Sequence, residues 1–159
     1  MKMPVPDQTV IEKRSALVRR LRKIMAVDNV IDDAAELKVY ESDGLTAYGQ
    51  LPMIVVLPET TTEVSEVLRL CSEEQVKVVP RGAGTGLSGG ALPLADGVTV
   101  GLSKFKRILD IDYENRTATV QPGVTNLAIS QAVEERGFYY APDPSSQIAC
   151  SIGGNVAEN

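Results

Sequence analysis

Between positions 80 and 90 the chain reads Pro-Arg-Gly-Ala-Gly-Thr-Gly-Leu-Ser-Gly-Gly, five glycines in nine residues, directly after the strand-like run Val76-Lys77-Val78-Val79. Glycine admits positive φ and lets successive backbone N–H groups turn into one concavity. Such a nest takes oxyanions, phosphate above all. Thr85 and Ser88 add hydroxyl donors and Arg81 adds charge. Charge-assisted hydrogen bonds contribute about 1.5–3 kcal/mol each, so several converging on one group hold a pyrophosphate firmly. No lysine lies in the stretch, which excludes a Walker loop. Gly84, Gly86 and Gly89 satisfy the G-x-G-x-x-G spacing, but that fingerprint opens a helix, and Pro93 and Gly97 follow at once. The spacing therefore predicts a phosphate-binding loop without the helix of the dinucleotide fingerprint. A flexible surface connector is the alternative, opposed by so dense a glycine run right after a buried strand.

A second segment, Pro142 to Asn155, combines rigid prolines, small hydroxyl residues and the pair Gly153-Gly154. Alone it reads equally well as an irregular loop. Beside the first loop it suggests two backbone-rich segments gripping one long ligand, with a phosphate portion and a flat or polar remainder. Other chemistry is excluded by composition. The 159 residues contain no histidine, which removes His-based acid–base catalysis, the Ser–His–Asp triad, the Cys–His dyad and every His-containing metal site. Cys71 and Cys150 are too few for a disulfide scaffold or a zinc ribbon. No aspartate or glutamate stands out as an acid–base group, so neither a catalytic residue nor a metal site is expected. The net charge of -5 argues against non-specific nucleic-acid binding. The longest apolar run, Met53 to Leu57, is far short of the ~20 residues of a membrane span, and residues 1–30 lack the apolar core of a secretory signal.

The elements that must position these loops follow from periodicity. Val10, Leu17, Val18, Leu21, Ile24 and Met25 predict an amphipathic helix over 10–25, with Arg14, Arg19, Arg20, Arg22 and Lys23 on a solvated face. A short helix is expected at 34–39, then loops at Ser42-Asp43-Gly44 and Tyr48 to Pro52. Met53 to Leu57 reads as a strand buried on both faces. Thr60 to Glu63 fits a capping box, and Val64, Val67, Leu68 and Cys71 share the following helix face, with Cys71 a core packer. Val76 to Pro80 completes a βαβ unit with parallel strands, and Val98 to Leu102 supplies a third strand. Arg107 to Asp112 and Thr117 to Gln121 read as a hairpin. Thr125 caps a helix turning Leu127, Ala128, Ile129, Ala132 and Val133 to the core, stopped by Gly137. Phe138 to Ala141 reads as a short strand or edge. A boundary is expected near 103–106, between a parallel lobe and a mixed, more antiparallel one.

The stretches 80–91 (PRGAGTGLSGGA) and 142–159 (PDPSSQIACSIGGNVAEN), with the approach 54–71 (IVVLPETTTEVSEVLRLC), resemble the FAD-binding domain of the vanillyl-alcohol oxidase/p-cresol methylhydroxylase superfamily. Within it they resemble the branch of glycolate oxidase D-subunits and FAD-linked D-lactate dehydrogenases. The resemblance implies an α+β fold of the PCMH type. Residues 1–50 would form an N-terminal helical segment, 51–104 the first FAD-binding subdomain and 105–159 the start of a second. It implies that Arg81, Gly82, Gly84, Thr85, Gly86, Leu87 and Ser88 wrap the FAD pyrophosphate. Pro142, Asp143, Ser146, Ser151, Gly153, Gly154 and Asn155 would lie along the flavin and its ribityl chain. Some members tether the flavin through a first-loop histidine; here FAD is expected to be non-covalent, with Cys150 a small buried thiol near it. The chain resembles the amino-terminal part of such an enzyme and is expected to be inactive alone. The intact enzyme would oxidise a small 2-hydroxy acid by hydride transfer to flavin N5, passing electrons to a quinone or other acceptor, through partner subunits in some cases. A cytoplasmic location, or a peripheral one at the inner face of the membrane, is implied. The incomplete second lobe is expected to self-associate. The alternatives are a non-catalytic FAD- or nucleotide-binding or subunit-interaction module, and an NAD-dependent Rossmann oxidoreductase, which Pro93 and Gly97 oppose.

Overall fold

A computed structural model describes residues 3–142 and 144–158. Its centre is a four-stranded sheet in the order β1-β2-β4-β3, formed by β1 (Val30–Ile31), β2 (Ile54–Val56), β3 (Lys77–Arg81) and β4 (Gly97–Gly101). The βαβ unit forms, but its two strands are not neighbours. β4 enters between them, parallel to both, pairing Val55 with Thr99 on one side and Val79 with Thr99 on the other. The reason is chemical. All five residues of β4 are buried, as a central parallel strand requires. β3 carries Pro80, which has no N–H to give to a second neighbour and so belongs at an edge. The sequence reading lacked β1, a two-residue strand that pairs antiparallel with β2 on the opposite edge.

The expected helix over 10–25 is two helices, α1 (Gln8–Glu12) and α2 (Arg14–Ile24), broken at Lys13. Asp7 caps α1 by accepting the Thr9 N–H at 2.9 Å. Val10, Leu17, Val18, Leu21 and Met25 all reach the core. The basic face is tied down in part. Arg14 donates to the carbonyls of Met53 and Asp32, Arg22 pairs with Asp32, and Arg20 pairs with Glu73 and Glu74. The short second helix is α3 (Ala34–Leu37), continued by a 3-10 turn to Tyr40.

α4 (Thr61–Glu73) has the predicted capping box: the Thr60 hydroxyl accepts the Glu63 N–H, and the Glu63 carboxylate accepts the Thr60 N–H, each at 3.2 Å. Its buried face is Val67, Leu70 and Cys71, whereas Leu68 is exposed, contrary to expectation. Packing against α2 selects the i, i+3, i+4 row from Val67 and leaves Leu68 a hundred degrees round the helix. Burial pushes the Cys71 thiol up to about 11, as befits a core packer.

After β4 comes a hairpin, β5 (Ile108–Asp112) and β6 (Thr117–Val120), whose register shifts between Ile108 and Asp110. α5 (Asn126–Val133) is capped by Thr125 and followed by Gly137 at φ +74°. Ile129 and Val133 are buried, but Ala132 faces solvent. No strand forms at Phe138 to Ala141, because the Tyr140 N–H goes to the Ser130 hydroxyl at 3.0 Å rather than to a neighbouring strand. The final stretch, whose residue pattern carries no helix signal, contains α6 (Ile152–Glu158), with Gly153 and Gly154 in its first turn.

Thr60→Ala removes one half of the capping box. Urea unfolding of the chain should show a loss of about 1 kcal/mol with no change in the denaturant slope.

Candidate functional site

In a parallel sheet the carboxyl ends of the strands lie on one edge, and the loops leaving them meet there. β3 ends at Arg81 and β4 at Gly101, held together by a last rung from the Leu102 N–H to the Arg81 carbonyl at 2.9 Å. The glycine run leaves this edge at once. Gly84 and Gly89 take φ of +73° and +77°, and 82–90 contains turns and bends but no helix, as the sequence predicted.

The segment from Cys150 onward is brought opposite by short backbone bonds. Ser151 bridges to Thr125, the Ile152 N–H donates to the Val124 carbonyl at 2.9 Å, and the Gly153 N–H donates to the Pro122 carbonyl at 2.8 Å. Close approach at Gly153 is required: a Cβ there would lie 2.8 Å from that of Pro122. Asn155 is fixed from behind, its amide donating to the Asn126 side chain at 2.6 Å, and Asn126 is itself buried.

Between the two segments lies a cavity of about 470 Å³. Of the residues predicted to form a site, Arg81, Gly82, Gly84, Thr85, Gly86, Ser146, Ser151, Gly153, Gly154 and Asn155 line it. Cys150, buried, lies on the same wall. Leu87 and Ser88 do not line it: the Leu87 side chain is exposed, and the Ser88 hydroxyl donates to Glu158 at 3.1 Å. Pro142 is set apart, its carbonyl accepting from Asn126 at 3.2 Å, and Asp143 lies outside the described residues. A second cavity of about 370 Å³ adjoins the first through Gly82, Ala83, Leu102 and Ser151 and extends to Lys106 and Thr125.

Two polar groups mark the wall. The Ser151 hydroxyl is buried and has no hydrogen-bond partner among the described residues, at the point where both cavities meet. A hydroxyl left so costs about 1–3 kcal/mol unless a group in the cavity pairs with it. The Glu158 carboxylate reaches the loop itself, 2.5 Å from where a Gly86 Cβ would stand. Nothing in the sequence pattern singled out Glu158, since it acts across 70 residues of chain. Arg81 lines the cavity and is also held from its far side. Its guanidinium donates to the Ser42 carbonyl at 2.8 Å and stacks over Tyr40. Burial lowers its pKa from the ordinary value, against the opposing pull of Asp43 and Tyr40.

Residues 52–159 match the family described as FAD binding domain. Over 146 residues the chain is 55% identical to the glycolate oxidase subunit GlcD of Escherichia coli (strain K12), an alignment covering 92% of this chain and 29% of that protein. It is 36% identical over 139 residues to a D-lactate dehydrogenase of Anaerostipes hadrus, covering 87% of this chain and 28% of that one. Among solved structures, 4-ethylphenol oxidase from Gulosibacter chungangensis superposes with a TM-score of 0.82 at 23% identity, over 96% of this chain and 30% of that one, and so shares the fold. The chain spans under a third of the length of these relatives.

The two glycines of α6 should respond to alanine in opposite directions. Gly154 has room for a Cβ, so Gly154→Ala gains helix propensity and stabilises by up to about 1 kcal/mol. Gly153→Ala drives a methyl into Pro122 and should lower the urea midpoint despite the same propensity gain.

Proposed function

The chain belongs to the FAD binding domain family, and from that premise we propose that it is the cofactor-holding part of a flavin-dependent 2-hydroxy-acid dehydrogenase or oxidase, acting on a small substrate of the glycolate or D-lactate type. Its cofactor is FAD. The residues present suit that group. A glycine loop with two positive-φ positions offers backbone donors, and the small residues at 151–155 leave space opposite it. The Ser88 hydroxyl donates to the Glu158 carboxylate at 3.1 Å, so the loop carries a hydroxyl donor that pairs with an anionic oxygen. The observation that carries the reading is the Ser151 hydroxyl, buried and unpartnered where the two cavities meet.

In this reading Gly82, Gly84, Thr85 and Gly86, with Leu87 and Ser88, hold the pyrophosphate. Ser146, Ser151, Gly153, Gly154 and Asn155, with Pro142 and Asp143, lie along the flavin and ribityl chain. Arg81 acts on the same loop. The chemistry FAD supplies when bound is acceptance of a hydride at N5 from the α-carbon of the hydroxy acid. This chain's share is to bind, to orient and to exclude water. Electrons then pass to a quinone or another acceptor, directly or through partner subunits. In this reading the flavin is held non-covalently, the glycine loop having no histidine to tether it. We take residues 1–50 as an N-terminal segment, 51–104 as the first FAD-binding subdomain and 105–159 as the start of the second. The exposed Leu109, Tyr139, Ile148 and Val156 on that second part favour self-association of the isolated chain. The reading carries with it a cytoplasmic location or a peripheral one at the inner membrane face. Among the described residues no helix is long and apolar enough to cross a membrane.

Titration with FAD, followed by flavin fluorescence, tests the site. The chain should quench saturably, and Gly84→Val should weaken binding at least about tenfold, because the new side chain meets the Arg81 guanidinium at a positive-φ position. Acid precipitation should release all the flavin into the supernatant. Unaltered binding by Gly84→Val would remove the glycine loop from the site, and flavin retained in the pellet would contradict the non-covalent mode.

A further inference from the structure

The matched family segment begins at residue 52, yet the glycine loop rests on residues that precede it. We propose that the turn from Tyr40 to Gly44 is a positioning element of the cofactor site, clasped to the back of the glycine loop by Arg81.

Arg81 is the first part of the clasp. It is the last residue of β3, and its side chain passes behind the loop. One Nη1 donates to the Ser42 carbonyl at 2.8 Å and leans toward the Ala91 carbonyl at 3.4 Å. The guanidinium carbon sits 5.7 Å from the centroid of the Tyr40 ring. The group also fills the space where a Gly84 Cβ would stand. One planar cation therefore touches the preceding turn at Tyr40 and Ser42, the entry of the loop at Gly84 and its exit at Ala91. A guanidinium has the fixed fork of donors and the flat face this needs, and an ammonium has neither.

Gly44 is the second part. A Cβ there would lie 2.6 Å from the Thr85 carbonyl oxygen and 2.8 Å from that of Gly86, both backbone atoms that cannot swing aside. These two carbonyls are thus backed directly onto Gly44. The Thr85 carbonyl carbon lies 3.0 Å from the same point, so this carbonyl lies side-on against Gly44. Contact at the back of the loop thus fixes the Thr85–Gly86 peptide plane, and with it the direction of the Gly86 N–H.

Asp43 is the third part. It is 5% exposed; one oxygen accepts the Leu45 N–H at 2.9 Å, and the other has no hydrogen-bond partner among the described residues. Its charge and that of Arg81 attract each other. Arg81 is balanced from behind and acts as a positioning residue for the loop.

This inference rests on the cofactor reading, but a second readout separates the two. Amide hydrogen exchange of the whole chain without FAD reports the loop directly, and FAD titration reports the site. Gly44→Ala should speed exchange over 82–90 at least about tenfold while β2 and β4 amides keep their protection, and should weaken FAD binding by a similar factor. Arg81→Lys keeps the charge and loses the fork and the stack, and should behave alike. If Arg81→Lys matches the parent in both readouts, charge alone is what Arg81 supplies, and the clasp is overturned. Parent-like exchange and binding in Gly44→Ala overturn it as well. If Gly44→Ala fails to fold, the Arg81→Lys result decides. If the parent chain takes up no FAD, the cofactor reading fails, and loop exchange in the two variants still decides the clasp.

Discussion

The last rung of the β3–β4 ladder, from the Leu102 N–H to the Arg81 carbonyl, is the contact from which the site hangs. It exists because β4 occupies the middle of the sheet. Had β3 lain between β2 and β4, Pro80 would have had a second neighbour and no N–H to offer it. With β4 central, the loop leaves beside the strand that leads into the β5–β6 hairpin. The segment after Leu102 then returns past Gly123, where a Cβ would strike the carbonyls of Leu102 and Phe105, so the chain is held close to the sheet edge at that point as well. Ser151 and α6 are fixed in turn against Pro122, Val124 and Thr125. The cavity is the gap left between these two anchored paths.

Local chemistry was enough to read much of this. The capping box at Thr60, the Thr125 cap, the stop at Gly137 and the hairpin each depend on a few neighbouring residues, and each appears as expected. The glycine loop was legible for the same reason, since Pro93 and Gly97 deny a helix to anything that follows Gly90. What escaped was decided at a distance. The order of the strands depends on which one is most buried. The choice of Leu70 over Leu68 depends on where α2 lies. α6 contains two glycines, poor helix formers, and its first turn is set by the bonds from Ile152 and Gly153 to carbonyls near residue 123. Gly44 looked like ordinary loop punctuation because the atoms that require it belong to Thr85 and Gly86.

The polar groups divide into those that hold the frame and those that face the gap. Asp96, almost wholly buried, is pushed up by burial but held below the usual carboxylate range by Lys77 at 2.6 Å and the Asp7 N–H at 2.9 Å, tying the start of the chain to the start of β4. Lys104 joins Asn29 and Glu59 across the opposite end of the sheet. These groups have their partners. Ser151, on the cavity wall, lacks one among the described residues. Three buried side-chain atoms lack a partner among the described residues, on Asp43, Thr99 and Ser151, and of these three residues Ser151 alone lines the cavity.

Every member of the hydrophobic core cluster lies between Val10 and Leu102. This has a temporal meaning. As the polypeptide leaves the ribosome, its amino-terminal two-thirds already contains all four strands of the sheet and the helices that cover it, so that core can close before residues 146–158 have been made. The glycine loop and the turn behind it belong to the early part, and Ser151 and α6 to the late part. The order of synthesis thus lets one wall stand before the other is made to dock against it.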